Sequence, residues 1–207
     1  ARTWTGGDRP EDLQSAQVSA NYLVTLGVRP VIGRAFTPEE EQVAVPGVIM
    51  ISESLWRTRF GGSPDVLGRS LVLDGRGFTV VGVFPSTLSL PAGRDVLAPI
   101  PFAASGYDIR AAHFLRPIAR LAEGVTLEQA QQDLDVIARR LEAAYPGSNQ
   151  SWRLGLVPLQ EQLVGGARAP LLILLGAVGV VVLIACVHVA NLVLARASAR
   201  AGEFALR

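Results

Sequence analysis

No lysine occurs among the 207 residues, so all 19 basic side chains are arginines. A phosphate-binding loop of the Walker kind needs a lysine, and neither Gly61-Gly62 nor Gly75-x-Gly77 has that context. The chain therefore carries no P-loop ATPase of its own. Cysteine occurs once, as Cys186, which excludes an internal disulfide and leaves residues 1–170 to be stabilised by their core alone. Histidine occurs twice, at His113 and His188, with no partner at zinc-ligand spacing. No serine sits in a G-x-S-x-G context. Without a nucleophile–base pair or a metal constellation, the chain reads as non-catalytic and as holding no cofactor or metal. The net charge of +1 gives no footprint for nucleic acid.

What the sequence does have is one long apolar run, Leu171–Leu194, without a single charge. At about 1.5 Å per residue it makes roughly 36 Å of helix, enough to cross a hydrocarbon core of about 30 Å. The run predicts a transmembrane helix over 167–195. Residues 1–170 hold 16 arginines and 17 acidic groups, whereas 171–207 hold Arg196, Arg200 and Arg207 against Glu203 alone. This bias places the C-terminus in the cytoplasm and the preceding domain outside. Ala1 is not an initiator methionine, no leader precedes the domain, and the chain stops shortly after the apolar run. Both ends read as cut, so a longer protein is expected.

Three polar residues interrupt the run. His188 and Asn191 are three apart and share a helix face, while Cys186 and Ala190 have a small-xxx-small spacing. Intramembrane polar groups need protein or water beside them, so Cys186, His188 and Asn191 are expected to pack against neighbouring helices, the alternative being a proton or substrate pathway along His188 and Asn191.

Ahead of the run the patterns predict an α+β domain of two subdomains. Residues 1–14 read as loop. Gln14–Ala20 reads as a strand and Asn21–Leu26 as a short helix stopped by Gly27. Thr37-Pro38-Glu39-Glu40-Glu41 reads as a helix start with a solvated acidic first turn; consecutive carboxylates point in different directions, which argues against a cation site. Val48–Ile51 is a buried strand, and Ser52 caps a helix over Glu53–Phe60. Asp74-Gly75 predicts a hairpin between Ser70–Leu73 and Phe78–Phe84, with Gly82 a bulge or close-approach site. Further strands are expected at Val96–Ile100, His113–Leu121 and Trp152–Val157. The capping box Thr126-Leu127-Glu128-Gln129 opens a helix whose stripe is Leu127, Ala130, Leu134, Ile137, Ala138, Leu141 and Tyr145.

Several of these stretches resemble one family in its own order. Val18-Ser19-Ala20-Asn21-Tyr22, Leu26-Gly27-Val28-Arg29-Pro30, Gly33-Arg34-x-Phe36, Ser52-x-x-Leu55-Trp56-x-x-Arg59-Phe60-Gly61-Gly62, Val66-Leu67-Gly68-Arg69 and Phe78–Val83 resemble a MacB-like periplasmic core domain. Ile184-Ala185-Cys186 and Val189-Ala190-Asn191-Leu192-x-Leu194-Ala195-Arg196 are similar to the second transmembrane helix of FtsX-like ABC permeases, and Glu203–Arg207 to the start of their cytoplasmic coupling segment. His188 departs from the pattern, which usually has a small polar residue there.

The resemblance implies a core domain over 1–166, a membrane helix over 167–195 and a coupling segment over 196–207, in a bacterial inner-membrane permease of the mechanotransmission type. It further implies a cytoplasmic ABC ATPase that holds the ATP, docked near Arg200, Glu203 and Arg207. A second permease copy and a periplasmic adaptor or lipoprotein are the other implied partners, besides the bilayer. The competing expectation is a membrane-anchored envelope-binding module that works without an ATPase.

Overall fold

A computed structural model describes residues 1–6, 10–88, 90, 92–103 and 110–204. It divides into two compact units, residues 1–153 and 154–207. The first unit opens with β1 (Arg2–Trp4), β2 (Glu11–Leu13), β3 (Ser15–Val18), α1 (Tyr22–Leu26) and β4 (Ile32–Gly33). Next come β5 (Val48–Ser52), α2 (Glu53–Phe60), β6 (Ser70–Leu73), β7 (Arg76–Phe84) and β8 (Val96–Pro99). The unit continues with α3 (Leu127–Ala144) and the single turn α4 (Pro146–Asn149). The second unit holds α5 (Leu159–Phe204).

The strands form one mixed sheet in the order β2-β1-β6-β7-β5-β8-β3, with β4 added on β7. The β5–β7 and β3–β8 pairs are parallel and the other pairs antiparallel. The central strand β5 has no polar residue before Ser52 because both its faces are covered. Successive side chains alternate between faces, so Ile49 and Ile51 enter one core with Leu55, Trp56, Val80 and Val96. Met50 enters a second core with Val18, Leu23, Phe36, Phe84 and Leu97. Trp56 closes the first core, and its indole N–H donates to the Ser63 carbonyl at 2.8 Å. Ser52 caps α2 by accepting the Leu55 N–H at 3.1 Å.

The Asp74-Gly75 hairpin forms as expected, with both residues at positive φ (52° and 74°), which suits the twist of a two-residue turn. Gly82 is both things the sequence offered. The β5–β7 register shifts between Ile49 and Met50, opposite Val80 and Gly82. A Cβ at Gly82 would also overlap the Arg34 carbonyl oxygen, which β4 brings close.

Three expectations are corrected. Residues 1–14 are not all loop, because Arg2–Trp4 pairs with Glu11–Leu13 and through Trp4 with Leu73. His113–Leu121 and Trp152–Val157 form no regular secondary structure and join no ladder among the described residues. Their β-prone composition favours an extended backbone, whereas a strand also needs a free edge to pair with; Pro117 moreover has no N–H to give. Finally, Ile137 and Tyr145 fall off the packed stripe of α3, at 45% and 40% exposure, leaving Ala138 as its buried residue. The Thr126 capping box is present, with reciprocal bonds to Gln129 at 2.9 and 3.2 Å.

Candidate functional site

α5 runs unbroken for 46 residues and contains Pro170. Proline lacks an amide hydrogen, so the carbonyl four residues earlier loses its helical partner where the apolar part begins. The stretch Pro170–Val193, 24 residues, is long and apolar enough to cross a membrane, one residue earlier than the run read from sequence. Every side chain from Pro170 to Val193 is exposed. A continuous apolar surface of this length is unfavourable in water and suited to hydrocarbon.

At about 100° per residue, His188 and Asn191 lie about 60° apart around the helix. Cys186 and Ala190 lie about 40° apart on a different side of the helix from the His188–Asn191 pair, with Gly179 and Gly176 close to the same line. A Cβ added at either glycine would meet nothing. The helix thus has a polar pair and a small-residue stripe on largely opposite sides. The backbone of α5 extends past Arg200 and Glu203 to Phe204, while Arg207 lies outside the described residues.

A second set of residues, not singled out in the sequence, lies where the first unit ends. The Glu142 carboxylate on α3 accepts the Ser151 N–H at 2.9 Å and the Arg153 guanidinium at 3.0 Å. These two bonds hold its carboxyl below the usual glutamate range, the Ser151 amide first and Arg153 second. The His113 ring stacks on Trp152 with centroids 3.7 Å apart and planes 14° off parallel. His113 and Ser151 both have positive φ, at 35° and 61°, which few non-glycine residues adopt. The segments around His113 and Trp152 are therefore clasped to each other and to α3 just before Leu154. Sequence spacing gave no signal, because Glu142, Ser151 and Arg153 meet only once α4 has turned the chain.

The acidic triplet is structural. Glu40 pairs with Arg34 at 2.7 Å and accepts the Thr37 N–H at 2.9 Å, completing a capping box, and Glu41 accepts the Ala20 N–H. Burial alone would raise the Glu40 carboxyl, but the bonds from Arg34 and the Thr37 amide outweigh it and hold it low. Among the described residues no three His, Cys, Asp or Glu side chains come together in a way that could hold a metal.

Comparison with known proteins bears on the same features. Residues 2–137 match the family model of the MacB-like periplasmic core domain. Among solved structures, the periplasmic region of MacB from Actinobacillus actinomycetemcomitans is similar at 13% identity and a TM-score of 0.50, over 72% of this chain. The chain spans 64% of that region's length. The extracellular domain of the ABC-type transporter YknZ from Gram-positive bacteria gives 16% identity and 0.49, over 72% of this chain and 73% of that one. A domain of a permease protein from Porphyromonas gingivalis gives 19% and 0.49, over 76% and 71%. A comparison with curated proteins finds no match.

Proposed function

The chain belongs to the family of MacB-like periplasmic core domains of ABC transporter permeases, and from that premise we propose that it is the outer domain and one membrane helix of a mechanotransmission permease. Residues 1–166 form the core domain outside the bacterial inner membrane, 167–195 cross it, and 196–207 begin the cytoplasmic coupling segment. The arginine excess after the apolar run supports this orientation. Cytoplasmic ATP hydrolysis on a separate ABC domain or subunit would then move the outer domain to export or extract an envelope substrate. No catalytic step falls to this chain, and ATP is bound by the partner.

One observation carries the reading, the unbroken length of α5. Its 46 residues span about 69 Å at 1.5 Å per residue, more than twice the roughly 30 Å of hydrocarbon. A helix is stiff along its axis, so displacement at Glu203 reaches the start of the helix at Leu159. The polar stripe of His188 and Asn191 and the small face of Cys186 suit packing against further helices of the bundle and of a second permease copy. A periplasmic adaptor or lipoprotein is the remaining partner of this reading.

The test is ATP hydrolysis by the full-length permease reconstituted with its ATPase in lipid. The Glu203→Ala and Arg207→Ala variants are expected to leave hydrolysis at the level of the ATPase alone. Unchanged coupling in both would remove the docking role and favour an anchored module that needs no ATPase.

A further inference from the structure

The curled sheet leaves an opening that motion transfer does not use. β2 and β3 stand at opposite ends of the strand order, yet only Gln14 separates them in sequence. The sheet therefore bends back on itself, and the gap between β3 and the β6–β7 turn is a cleft of about 520 Å³. Arg2, Arg76 and Asp74 line it, together with Ser15 and Ala16 of β3. An adjoining hollow of about 130 Å³ shares Arg2 and Arg76 and is floored by Phe78, Pro99 and Pro101.

The charges in this cleft are unbalanced. Neither Arg2 nor Arg76 makes an ion pair among the described residues. The Arg2 guanidinium lies over the Phe78 ring, 4.9 Å from its centroid. That contact fixes its plane while leaving its N–H edge available. The one carboxylate in the lining, Asp74, accepts the Thr3 N–H at 2.8 Å and is engaged in holding the turn. Two guanidiniums thus face one carboxylate, above an apolar floor of aromatic and proline rings.

We propose that this cleft binds an extended acidic peptide segment of a partner protein, with a carboxylate at Arg2 and Arg76 and a neighbouring apolar side chain on Phe78 and Pro99. Guanidinium forks match carboxylates in plane and direction. β3 is the last strand of the sheet order and runs along the cleft, so an extended chain is the backbone shape that fits beside it. At about 520 Å³ the cleft lies within the usual range for small-ligand pockets. The inference does not depend on coupling to an ATPase, so either can fail without the other.

The test uses the full chain in detergent and two rhodamine-labelled hexapeptides, Glu-Val-Glu-Phe-Glu-Val and its counterpart with glutamine for each glutamate. Fluorescence anisotropy is expected to give binding of the acidic peptide about 10-fold or more tighter than the neutral one, the scale of a charge-assisted hydrogen bond. Arg2→Gln and Arg76→Gln should each remove that preference, while Arg57→Gln, on α2 and outside the cleft lining, should keep it. In the unsubstituted chain, affinity should fall as salt rises from about 50 to about 200 mM. This arm stands even if a variant does not fold. Equal binding of the two peptides, absence of binding, or a preference that survives both arginine variants overturns the proposal. Displacement of the acidic peptide by phosphatidylglycerol vesicles that bind the unsubstituted chain but not Arg2→Gln would assign the cleft to a lipid headgroup and also overturn it.

Discussion

Single residues fix how closely the strands of the core domain approach. Gly33 and Gly82 face each other across β4 and β7, and a side chain on either would meet backbone. Gly82→Ala is expected to cost about 1–3 kcal/mol or more, because backbone cannot yield as a flexible side chain does. Thermal unfolding of the domain measures this, and an unchanged midpoint would contradict it. Glu142 sets a different constraint. Its carboxyl lies below the ordinary 4.5 because the Ser151 amide and Arg153 favour the charged form. A depressed carboxylate stabilises the fold above its unfolded-state value and loses that contribution as pH falls through the folded-state value. Hydrogen exchange at the Ser151 amide should therefore quicken as pH drops below 4.5, beyond the intrinsic pH effect, and should already be fast in Glu142→Gln at neutral pH. Gly82 was legible in the sequence, since a glycine inside an otherwise β-branched run needs a packing reason. Glu142 was not, since nothing in a single carboxylate on an exposed helix face reveals a partner nine residues on.

At the scale of elements, legibility followed how much of the cause was local. β5 and β7 are apolar over most of their length and α2 begins at a serine cap, so composition and capping sufficed. The Thr126 box is equally local, and Thr126→Ala should cost about 1 kcal/mol through loss of the cap. Chemical denaturation measures it, with Thr126→Ser expected to retain most of the stability. β1 and β2 escaped notice because Arg2–Trp4 and Glu11–Leu13 are three residues long and mostly polar, and their pairing partners decide their state. The opposite error arose at His113–Leu121 and Trp152–Val157, where strand-like composition found no ladder among the described residues. The His113–Trp152 stack, the Glu142 bonds and the Arg120 bond to the Thr25 carbonyl help order these segments, side-chain contacts that no periodicity encodes. On α5, the polar and small stripes predict helix association. In lipid, Asn191→Leu with His188→Leu should weaken pairing of permease helices, read by energy transfer between labelled copies. Unaltered transfer would leave the polar stripe without that role.

For the molecule as a whole, two units with different physics follow one another in the chain. One is an α+β domain of the MacB-like periplasmic core family, with two cores on the faces of a bent sheet; the other is a helix suited to hydrocarbon. The proposed function joins them mechanically, and its claim is that nucleotide state in the cytoplasm changes the position of the domain outside. Cys186 is the one cysteine in these 207 residues, and the measurement starts from a full-length permease in which every cysteine, Cys186 included, is replaced by serine. In that background, a spin label at Val24→Cys, a site 74% exposed on α1, reports the distance between two permease copies. The full-length permease with its ATPase, in lipid, is measured with and without trapped ATP. The account predicts a shift in that distance on trapping, abolished when three glycines are inserted into α5 after Arg196. A distance that does not change while ATP is bound and hydrolysed, or a shift that survives the glycine insertion, would contradict it.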